Sequence, residues 1–300
     1  MASQERMSLV EFMERYATED ACEKQLFSMK WPNGYICERC GHNAHFTVTT
    51  RRLSLFTCKN CRYQATVTVG TVMEKTRTDL RKWFLAIYMV ATDKRGVSGM
   101  QLTRDLGISY PTAWTMLQKI RSAIGEHDAR YKLGGIVEVD DTYFGGPDTG
   151  GKHGRGTDKT QVAVGVSLTE DGRPLYAKME VIPNLNGEIL LDFARRNIVP
   201  GATIRTDALR VNNKLAESFS HEPHPFDPNG DHLKWLHIIV SNAKAFIQGT
   251  FHGLDDGHLQ RYLNEFCYRL NRRFFQGQGF LRLLSCCATS PPMTYRELVL

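Results

Sequence analysis

The sequence predicts an α/β protein in which a small cysteine-rich module and a helical region precede a larger domain of strands and helices. Three observations predict this order: two Cys-x-x-Cys pairs near the N-terminus, helix-like apolar spacing over residues 78–126, and short β-type runs after residue 134. The 300 residues provide room for one such domain and small modules, since ordinary domains contain roughly 150 residues. With 42% hydrophobic and 23% charged residues, the chain is not a disordered protein.

The N-terminal segment, residues 1–30, predicts a short helical lead-in, with Ser8 and Glu11 as a capping box. It lacks the apolar core of a signal peptide, and the most apolar run of the chain, residues 83–90, is far shorter than the ~20 residues that span a bilayer. We therefore expect a cytoplasmic protein with no membrane partner. The formal net charge of +6 permits a polyanionic partner without identifying one.

Cys37, Cys40, Cys58 and Cys61 form two Cys-x-x-Cys pairs separated by 17 residues. Each pair places two thiolates on one tight turn, and two such turns complete a tetrahedral Zn²⁺ site. Period-2 alternation follows at residues 63–69, as in a half-buried strand. We predict a zinc ribbon over residues 31–75; the alternatives are four unrelated cysteines or a redox dithiol. The other four cysteines fit no ligand pattern and are interpreted as buried or incidental thiols: Cys22, Cys267, Cys286 and Cys287.

The ribbon segment is basic, since residues 31–75 contain six Lys or Arg and two Asp or Glu. Arg51 and Arg52 stand at the predicted hairpin. Contact with the DNA backbone is therefore the favoured interpretation, and a structural or protein-docking ribbon is the alternative.

Residues 98–117 have the spacing of a helix-turn-helix unit within a helical region at 78–126. One helix is predicted to end at Leu106, Gly107 to supply a left-handed turn, and a second helix to start near residues 109–111. The second helix would present polar side chains to DNA and two cations to phosphates. The predicted DNA contacts are Tyr110, Thr112, Thr115, Lys119 and Arg121. A plain helical hairpin is the alternative.

A domain at residues 134–275 is predicted from four β-type runs and three helical segments. The runs are residues 136–139, 162–168, 175–182 and 202–205, and the helical segments are residues 188–198, 233–248 and 256–273. A glycine-rich stretch, residues 145–159, predicts a mobile loop between the first two strands. Residues 276–300 are assigned to a C-terminal tail.

Two of the predicted strands each end in an aspartate, Asp140 and Asp207. Strands that deliver carboxylates at the same end can bring them together at one sheet edge. Such paired oxygen ligands suit Mg²⁺ and phosphodiester chemistry, although Asp after a strand is also a common turn residue. Asp141 would point the other way on an extended chain.

A third ligand is expected from the later helix at residues 235–244. His237 and Lys244 are two helical turns apart and share a face, whereas Asn242 lies about 140° around the helix from His237. The alternative for His237 is an ordinary helix histidine near the core.

Taken together, these residues resemble those of bacterial insertion-sequence transposases of the zinc-ribbon DDE type, whose catalytic domain is RNase H-like. The likeness extends over nearly the whole chain and rests on several motifs. They occupy residues 31–41, the positions Leu102, Gly107, Ser109, Ala113 and Trp114, and residues 137–146, 206–207, 241–244, 249–253, 258–259, 262–266 and 269–273.

The resemblance implies that Asp140 and Asp207 are the first two ligands of a Mg²⁺ or Mn²⁺ centre. Counting seven residues back from Lys244 gives His237 as the third group, in a subgroup with His at that position. His237 would either bind the metal weakly or orient water, and Lys244 would contact a phosphate. Asn242 and Glu265 are lesser candidates for the third position.

The chain departs from the usual family pattern at two places. Asp141 stands where Glu is commoner, and Ala208-Leu209 stands where many members have Gly and an aromatic residue. Neither departure removes a predicted ligand.

The resemblance also implies a function. The chain would be a DNA transposase that cuts insertion-sequence ends and joins the resulting 3′-hydroxyl to target DNA. Its partners would be double-stranded DNA, as terminal inverted repeats and target, and further copies of itself; it would be nucleoid-associated when bound to DNA. The alternatives are an RNase H-like nuclease without strand transfer, a zinc-ribbon and helix-turn-helix DNA-binding regulator, and a purely structural zinc protein.

Overall fold

The computed structural model describes residues 7–145, 159–225, 232–252, 254–275 and 277–299. Unit 1 comprises residues 1–127 together with 275–300, and unit 2 comprises residues 128–274. Of the glycine-rich stretch that the sequence predicts as a mobile loop, residues 146–158 lie outside the described residues.

Unit 1 begins with two helices, α1 (Leu9–Arg15) and α2 (Glu19–Lys30). The predicted capping box is confirmed, since the Ser8 hydroxyl accepts from the Glu11 N–H and the Glu11 carboxylate accepts from the Ser8 N–H.

A three-stranded antiparallel sheet follows, made of β1 (His45–Val48), β2 (Leu55–Cys58) and β3 (Gln64–Ala65). Its inner face is aromatic, and the rings of His45 and Phe56 pack on Phe27, Trp31 and Tyr35. Because α2 carries Phe27, the ribbon is anchored to the helix that precedes it.

Three helices complete this part of the chain: α3 (Leu80–Thr92), α4 (Gly99–Leu106) and α5 (Tyr110–Asp128). The Ser98 hydroxyl accepts from the Gln101 N–H at the start of α4. Gly107 ends α4 at φ +58°, a left-handed conformation that costs glycine little, and α5 starts three residues later. The first helix therefore ends, and the second begins, where the sequence predicts.

Unit 2 is built, in its described residues, on a five-stranded mixed sheet in the order β6-β5-β4-β7-β8. The strands are β4 (Ile136–Phe144), β5 (Thr160–Leu168), β6 (Pro174–Ile182), β7 (Thr203–Asp207) and β8 (Ser220–His224). The strands β4, β5 and β6 form an antiparallel meander, whereas β7 is parallel to both β4 and β8. This α/β architecture is the RNase H-like fold that the resemblance implies.

Helices cover both faces of this sheet. The helix α6 (Gly187–Asn197) packs on one face, and α7 (Lys234–Thr250) and α8 (Leu259–Asn271) pack on the other. Short 3₁₀ helices occupy Arg210–Glu217 and Asp256–His258. Alternation along β4 sends Val137 and Val139 toward α6, and thereby sends Glu138 and Asp140 toward α7.

The last helices, α9 (Gly279–Thr289) and α10 (Tyr295–Val299), lie in the segment assigned to a tail, yet they belong to unit 1. The Phe280 ring of α9 packs against Phe12 and Phe84, and the Val72 N–H donates to the Cys287 carbonyl. The two ends of the chain therefore build one hydrophobic core. In the part of the chain that the structure describes, we find no helix with the length and apolarity needed to cross a membrane.

Candidate functional site

The four predicted zinc ligands come together in the ribbon. The Sγ atoms of Cys37, Cys40, Cys58 and Cys61 all lie within 4.8 Å of one another, and the Cys37–Cys61 and Cys40–Cys58 distances are 3.6 Å. A tetrahedral zinc with ~2.3 Å Zn–S bonds would set these sulfurs about 3.8 Å apart. The donors are therefore already arranged as Zn²⁺ requires.

Both Cys-x-x-Cys turns close in the same way. The Gly41 N–H donates to the Cys37 carbonyl and the Arg62 N–H to the Cys58 carbonyl, with φ of +72° and +61°. Burial opposes ionisation of Cys37, but backbone N–H groups and neighbouring thiols outweigh it and hold the pKa of that thiol at about 6. A thiolate is the form that binds zinc.

The two predicted catalytic aspartates lie on neighbouring parallel strands. Glu138 of β4 is the Cα partner of Arg205 in β7, and Asp140 and Asp207 lie two residues further along each strand. The strand β7 ends at Asp207, as the sequence predicts, whereas β4 runs on to Phe144, so Asp140 lies within its strand and not at its end. The side-chain period of two keeps both aspartates on the α7 face of the sheet. Both side chains are half-buried.

Local hydrogen bonds orient both carboxylates. Asp207 Oδ1 accepts from Asn212 Nδ2 at 2.5 Å and from the Leu209 N–H at 3.3 Å, and Asn212 is 4% exposed. Asp140 Oδ1 accepts from the Asp141 N–H at 2.8 Å. The Asp141 carboxylate points to the other face of the sheet, where it accepts from Gln161 Nε2, as the sequence predicts.

The helix α7 starts against β4. Its N-cap residue, Leu233, has φ +53° and supplies no side-chain cap. Instead, Glu138 Oε2 accepts from the Leu236 N–H at 3.1 Å, and this glutamate is only 5% exposed. His237 directly follows Leu236 on the exposed side of the helix. Burial raises the pKa of Glu138.

Histidines surround the end of β7. His232 Nε2 donates to the Thr206 carbonyl at 3.0 Å, and His221 Nε2 lies 2.8 Å from the Thr206 hydroxyl. Burial lowers the pKa of His232; His224 and His237 lower it further, and Asp207 opposes them. His232 therefore lies within electrostatic range of both Asp207 and His237.

Lys244 lies two turns along α7 from His237 and is half-buried. Its Nζ is 5.8 Å from the centroid of the Phe144 ring. It lines a cavity of about 600 Å³ together with Lys159 of unit 2. Burial, and then Lys159, lower the pKa of Lys244. Two lysines at one cavity favour an anionic ligand such as a phosphate.

The lesser candidates occupy different surroundings. Asn242 is exposed on α7, as is His237. Glu265 is fully buried in α8, where its carboxylate accepts from Arg269 at 2.7 Å. Among the described residues, the four ribbon cysteines are the one group of three or more His, Cys, Asp or Glu ligand atoms gathered closely enough for a metal.

The structure corrects one predicted DNA contact on α5 and changes the surroundings of others. Arg121 is only 2% exposed, because it falls on the helix face that buries Leu117 and Ile124, and it donates to the Val97 carbonyl. It cannot reach a phosphate there. Lys119 is half-buried and donates to the Val72 carbonyl at 3.1 Å.

The three uncharged candidates on α5 lie nearer the surface. Tyr110 is 48% exposed. The hydroxyl of Thr115 donates to the Pro111 carbonyl, and that of Thr112 bonds to Ser109, so both are held by neighbours on the chain.

The two hairpin arginines differ. Arg51 is exposed. Arg52 donates to the carboxylate of Glu19 and to the carbonyls of Thr76 and Thr78, so it ties the hairpin to the starts of α2 and α3.

Sequence reasoning missed Glu138 and Asn212, which position the predicted site. The signal for Glu138 was its place two residues before Asp140, which puts both on one face of a strand. Asn212 lies in a 3₁₀ helix after β7, and no residue pattern pointed to its contact with Asp207. The four cysteines outside the ribbon are buried, as the sequence analysis interpreted them.

Known families match both parts of the chain. The ISXO2-like transposase domain matches residues 132–271, and the transposase zinc-ribbon domain matches residues 17–64. An uncharacterized protein in the transposable element ISH50 of Halobacterium salinarum, an archaeon, is 30% identical over 289 residues. That alignment covers 88% of this chain and 94% of the relative.

Solved structures show a more distant likeness. A pre-cleavage Mos1 transpososome has 13% sequence identity and a TM-score of 0.30, covering 70% of this chain and 79% of that one. The Mos1 mariner paired end complex with Mn has 13% identity and a TM-score of 0.29, covering 69% and 78%. Neither likeness is close enough to transfer a residue.

Proposed function

This chain belongs to the insertion-sequence transposases with an ISXO2-like domain and a zinc ribbon, and we propose that it cuts DNA at the ends of its element and joins the 3′-hydroxyl to target DNA. The observation that carries the proposal is that Asp140 and Asp207 each lie two residues beyond the paired Glu138 and Arg205 on adjacent parallel strands. His237 follows Leu236, whose N–H donates to Glu138 of the same strand as Asp140, and this supports His237 as the third group.

Asp140, Asp207 and His237 would hold the divalent metal. Carboxylate oxygens suit Mg²⁺ and Mn²⁺, whereas an imidazole suits Mn²⁺ better. Bound there, Mg²⁺ or Mn²⁺ supplies Lewis-acid stabilisation of the charge that develops on a phosphodiester.

The protein's own groups would supply orientation. Asn212 and the Leu209 N–H leave the second oxygen of Asp207 for a ligand, since both bond to Oδ1. His237 would bind weakly or hold the attacking water by a hydrogen bond. Lys244 would contact a phosphate beside the scissile bond, a role that suits an ammonium point charge.

The partner would be double-stranded DNA, as element ends and target, bound by more than one copy of the chain. Arg51 and the exposed start of α5, with Tyr110, Thr112 and Thr115, remain the proposed contacts of the sequence analysis. Lys119 could join them only by leaving the Val72 carbonyl.

A strand-transfer assay on DNA carrying the element's ends tests the proposal, with Mg²⁺ or Mn²⁺ supplied. Asp140→Asn and Asp207→Asn should each abolish cutting and joining, because each removes a charged ligand and keeps its shape. Asp141→Asn is the matched control, since its carboxylate faces the other side of the sheet, and it should remain active. Wild-type protein that cuts but never joins would identify a nuclease, and protein that binds the ends without either reaction would identify a regulator.

A further inference from the structure

The zinc ribbon has an outer face that no other described element covers in the way α2 covers the inner face. Phe46, Thr57 and Gln64 are cross-strand neighbours on it, and Val48 extends it along β1. Phe46 is 50% exposed and Val48 is 40% exposed. We call Phe46, Val48, Thr57, Gln64, Lys59 and Arg62 the outer ribbon face.

Two cations stand over the exposed ring. Lys59 Nζ lies 5.0 Å from the centroid of the Phe46 ring, and the Arg62 guanidinium carbon lies 5.8 Å from it. A cation held on an aromatic ring has fewer conformations to lose when it meets an anion. The ring therefore organises two positive charges on a surface exposed to solvent.

The charged side chains of the ribbon strands and turns are basic. From Arg39 to Met73 the sequence contains five Lys or Arg and no Asp or Glu. The nearest acid before that run, Glu38, is paired with Lys30 at 2.9 Å. The face is thus complementary to a polyanion and repels an acid-poor, basic protein surface.

The hairpin tip is a weaker candidate for phosphate binding than the outer ribbon face. Arg52 is held by Glu19 and by two backbone carbonyls, so a phosphate would have to break those bonds. Lys59 and Arg62 are exposed, and neither is held by a carboxylate among the described residues, so a phosphate would have no ion pair to break there.

We propose that the outer ribbon face binds the phosphate backbone of duplex DNA, with Lys59 and Arg62 on phosphates and Phe46 holding both cations. The inference rests on the proposed function, because it assigns the DNA partner of that function to a surface. It places a ribbon contact at the opposite end of the sheet from the hairpin tip that carries Arg51 and Arg52.

Salt-dependent binding of the full-length, zinc-loaded protein to a mixed-sequence duplex tests the proposal. Each lost phosphate contact should reduce the slope of log Kobs against log salt by about 0.9, so Lys59→Gln with Arg62→Gln should reduce it by about 1.8. Phe46→Leu should weaken binding about 2–5-fold with a nearly unchanged slope, because it keeps both charges and removes the ring. Zinc content of each variant should stay at one per chain.

Lys24→Gln is the control for charge alone, since Lys24 is an exposed lysine of α2 paired with Asp20. It should leave the slope unchanged. A wild-type slope in the Lys59/Arg62 double variant would overturn the proposal and leave a protein partner or none for this face. Strand transfer measured on the same preparations separates the DNA-binding surface from the proposed transposase reaction. If the wild type is active and the double variant keeps the wild-type slope, only the proposed surface is refuted. If the wild type is inactive and the double variant has a reduced slope, only the proposed reaction is refuted.

Discussion

The chemistry of the predicted site depends most on the identity of its third group, for which His237 is the proposed residue. It is exposed on α7, directly after the N–H that Glu138 accepts, and within electrostatic range of His232 beside Asp207. Asn242 is exposed as well, but it lies more than a turn further along the helix. Position therefore favours His237 as the third group, and exposure alone does not decide between the two.

Substitution of the two residues decides between them. His237→Ala should reduce cutting and joining at least 100-fold, the lower range for loss of a positioned proton-transfer or ligand group. His237→Glu should recover part of that loss and shift the metal preference toward Mg²⁺, because it supplies the oxygen ligand that Mg²⁺ prefers. Asn242→Ala should be milder. The measurement is strand transfer in each metal; an inactive Asn242→Ala beside a near-normal His237→Ala would move the third position to Asn242.

Single residues also mark the limit of sequence reasoning. Asp140 and Asp207 could be placed on one face of the sheet because a strand fixes the direction of its side chains, but the end of β4 was predicted four residues too early. The burial of Arg121 could not be predicted, since a helix position that looks exposed in the sequence becomes buried once α5 packs on its neighbours. Asn212 depends on the path of a 3₁₀ segment that no apolar period announces.

At the scale of elements, α7 is positioned by a group from outside itself. Its first turn lacks a side-chain cap of its own, and Glu138, buried on β4, accepts one of the N–H groups left over there. Arg205 lies beside Glu138 on β7 and faces it with positive charge. A buried carboxylate thereby ties the start of the helix that carries His237 and Lys244 to the strand that carries Asp140.

Glu138→Ala should lower the stability of unit 2 by about 1–2 kcal/mol, since it leaves the Leu236 N–H without its acceptor. It should reduce strand transfer further than DNA binding, because the helix loses its register to Asp140. Glu138→Gln keeps an acceptor oxygen and should restore most of the activity. Chemical unfolding and strand transfer at saturating DNA measure the two effects.

Asn271→Ala provides the comparison for stability alone. Asn271 makes two hydrogen bonds to the backbone of Ala177 on the edge strand β6, away from β4 and β7. It should lose stability and keep its activity per folded molecule. If Glu138→Ala behaves in the same way, Glu138 supports only the fold.

Elements differ in how far sequence predicts them. The strands β4 to β7 were predictable because each carries an apolar run, and the helices α6 to α8 because their apolar positions recur at helical spacing. The strand β8 has the sequence Ser-His-Glu-Pro-His, with no apolar alternation, and forms only as an edge strand paired with β7. Tertiary pairing creates such a strand, and local preference does not reveal it.

At the scale of the whole molecule, unit 1 is assembled from both ends of the chain. The helix α9 brings Phe280 into a ring cluster with Phe12, Tyr16, Phe84 and Tyr88, with centroids 5.2 to 6.1 Å from it. The sequence assigned these last residues to a tail because nothing local shows that a distant apolar surface needs them. A fragment that stops after α5 would expose that surface.

Phe280→Ala should therefore destabilise unit 1 by about 3–5 kcal/mol, the usual cost of removing a buried phenylalanine ring. Phe280 is 4% exposed, whereas Phe274, which is 62% exposed, gives a control in which Phe274→Ala should cost little. Unfolding followed by hydrogen exchange should show early loss of protection in α1 and α3 for Phe280→Ala, while β4 and β5 keep theirs. Unchanged protection in α1 and α3 would mean that the N-terminal helices hold together without α9, and that a fragment ending at residue 127 folds alone. Loss of protection instead predicts that such a fragment binds DNA only when residues 277–299 are joined back to it.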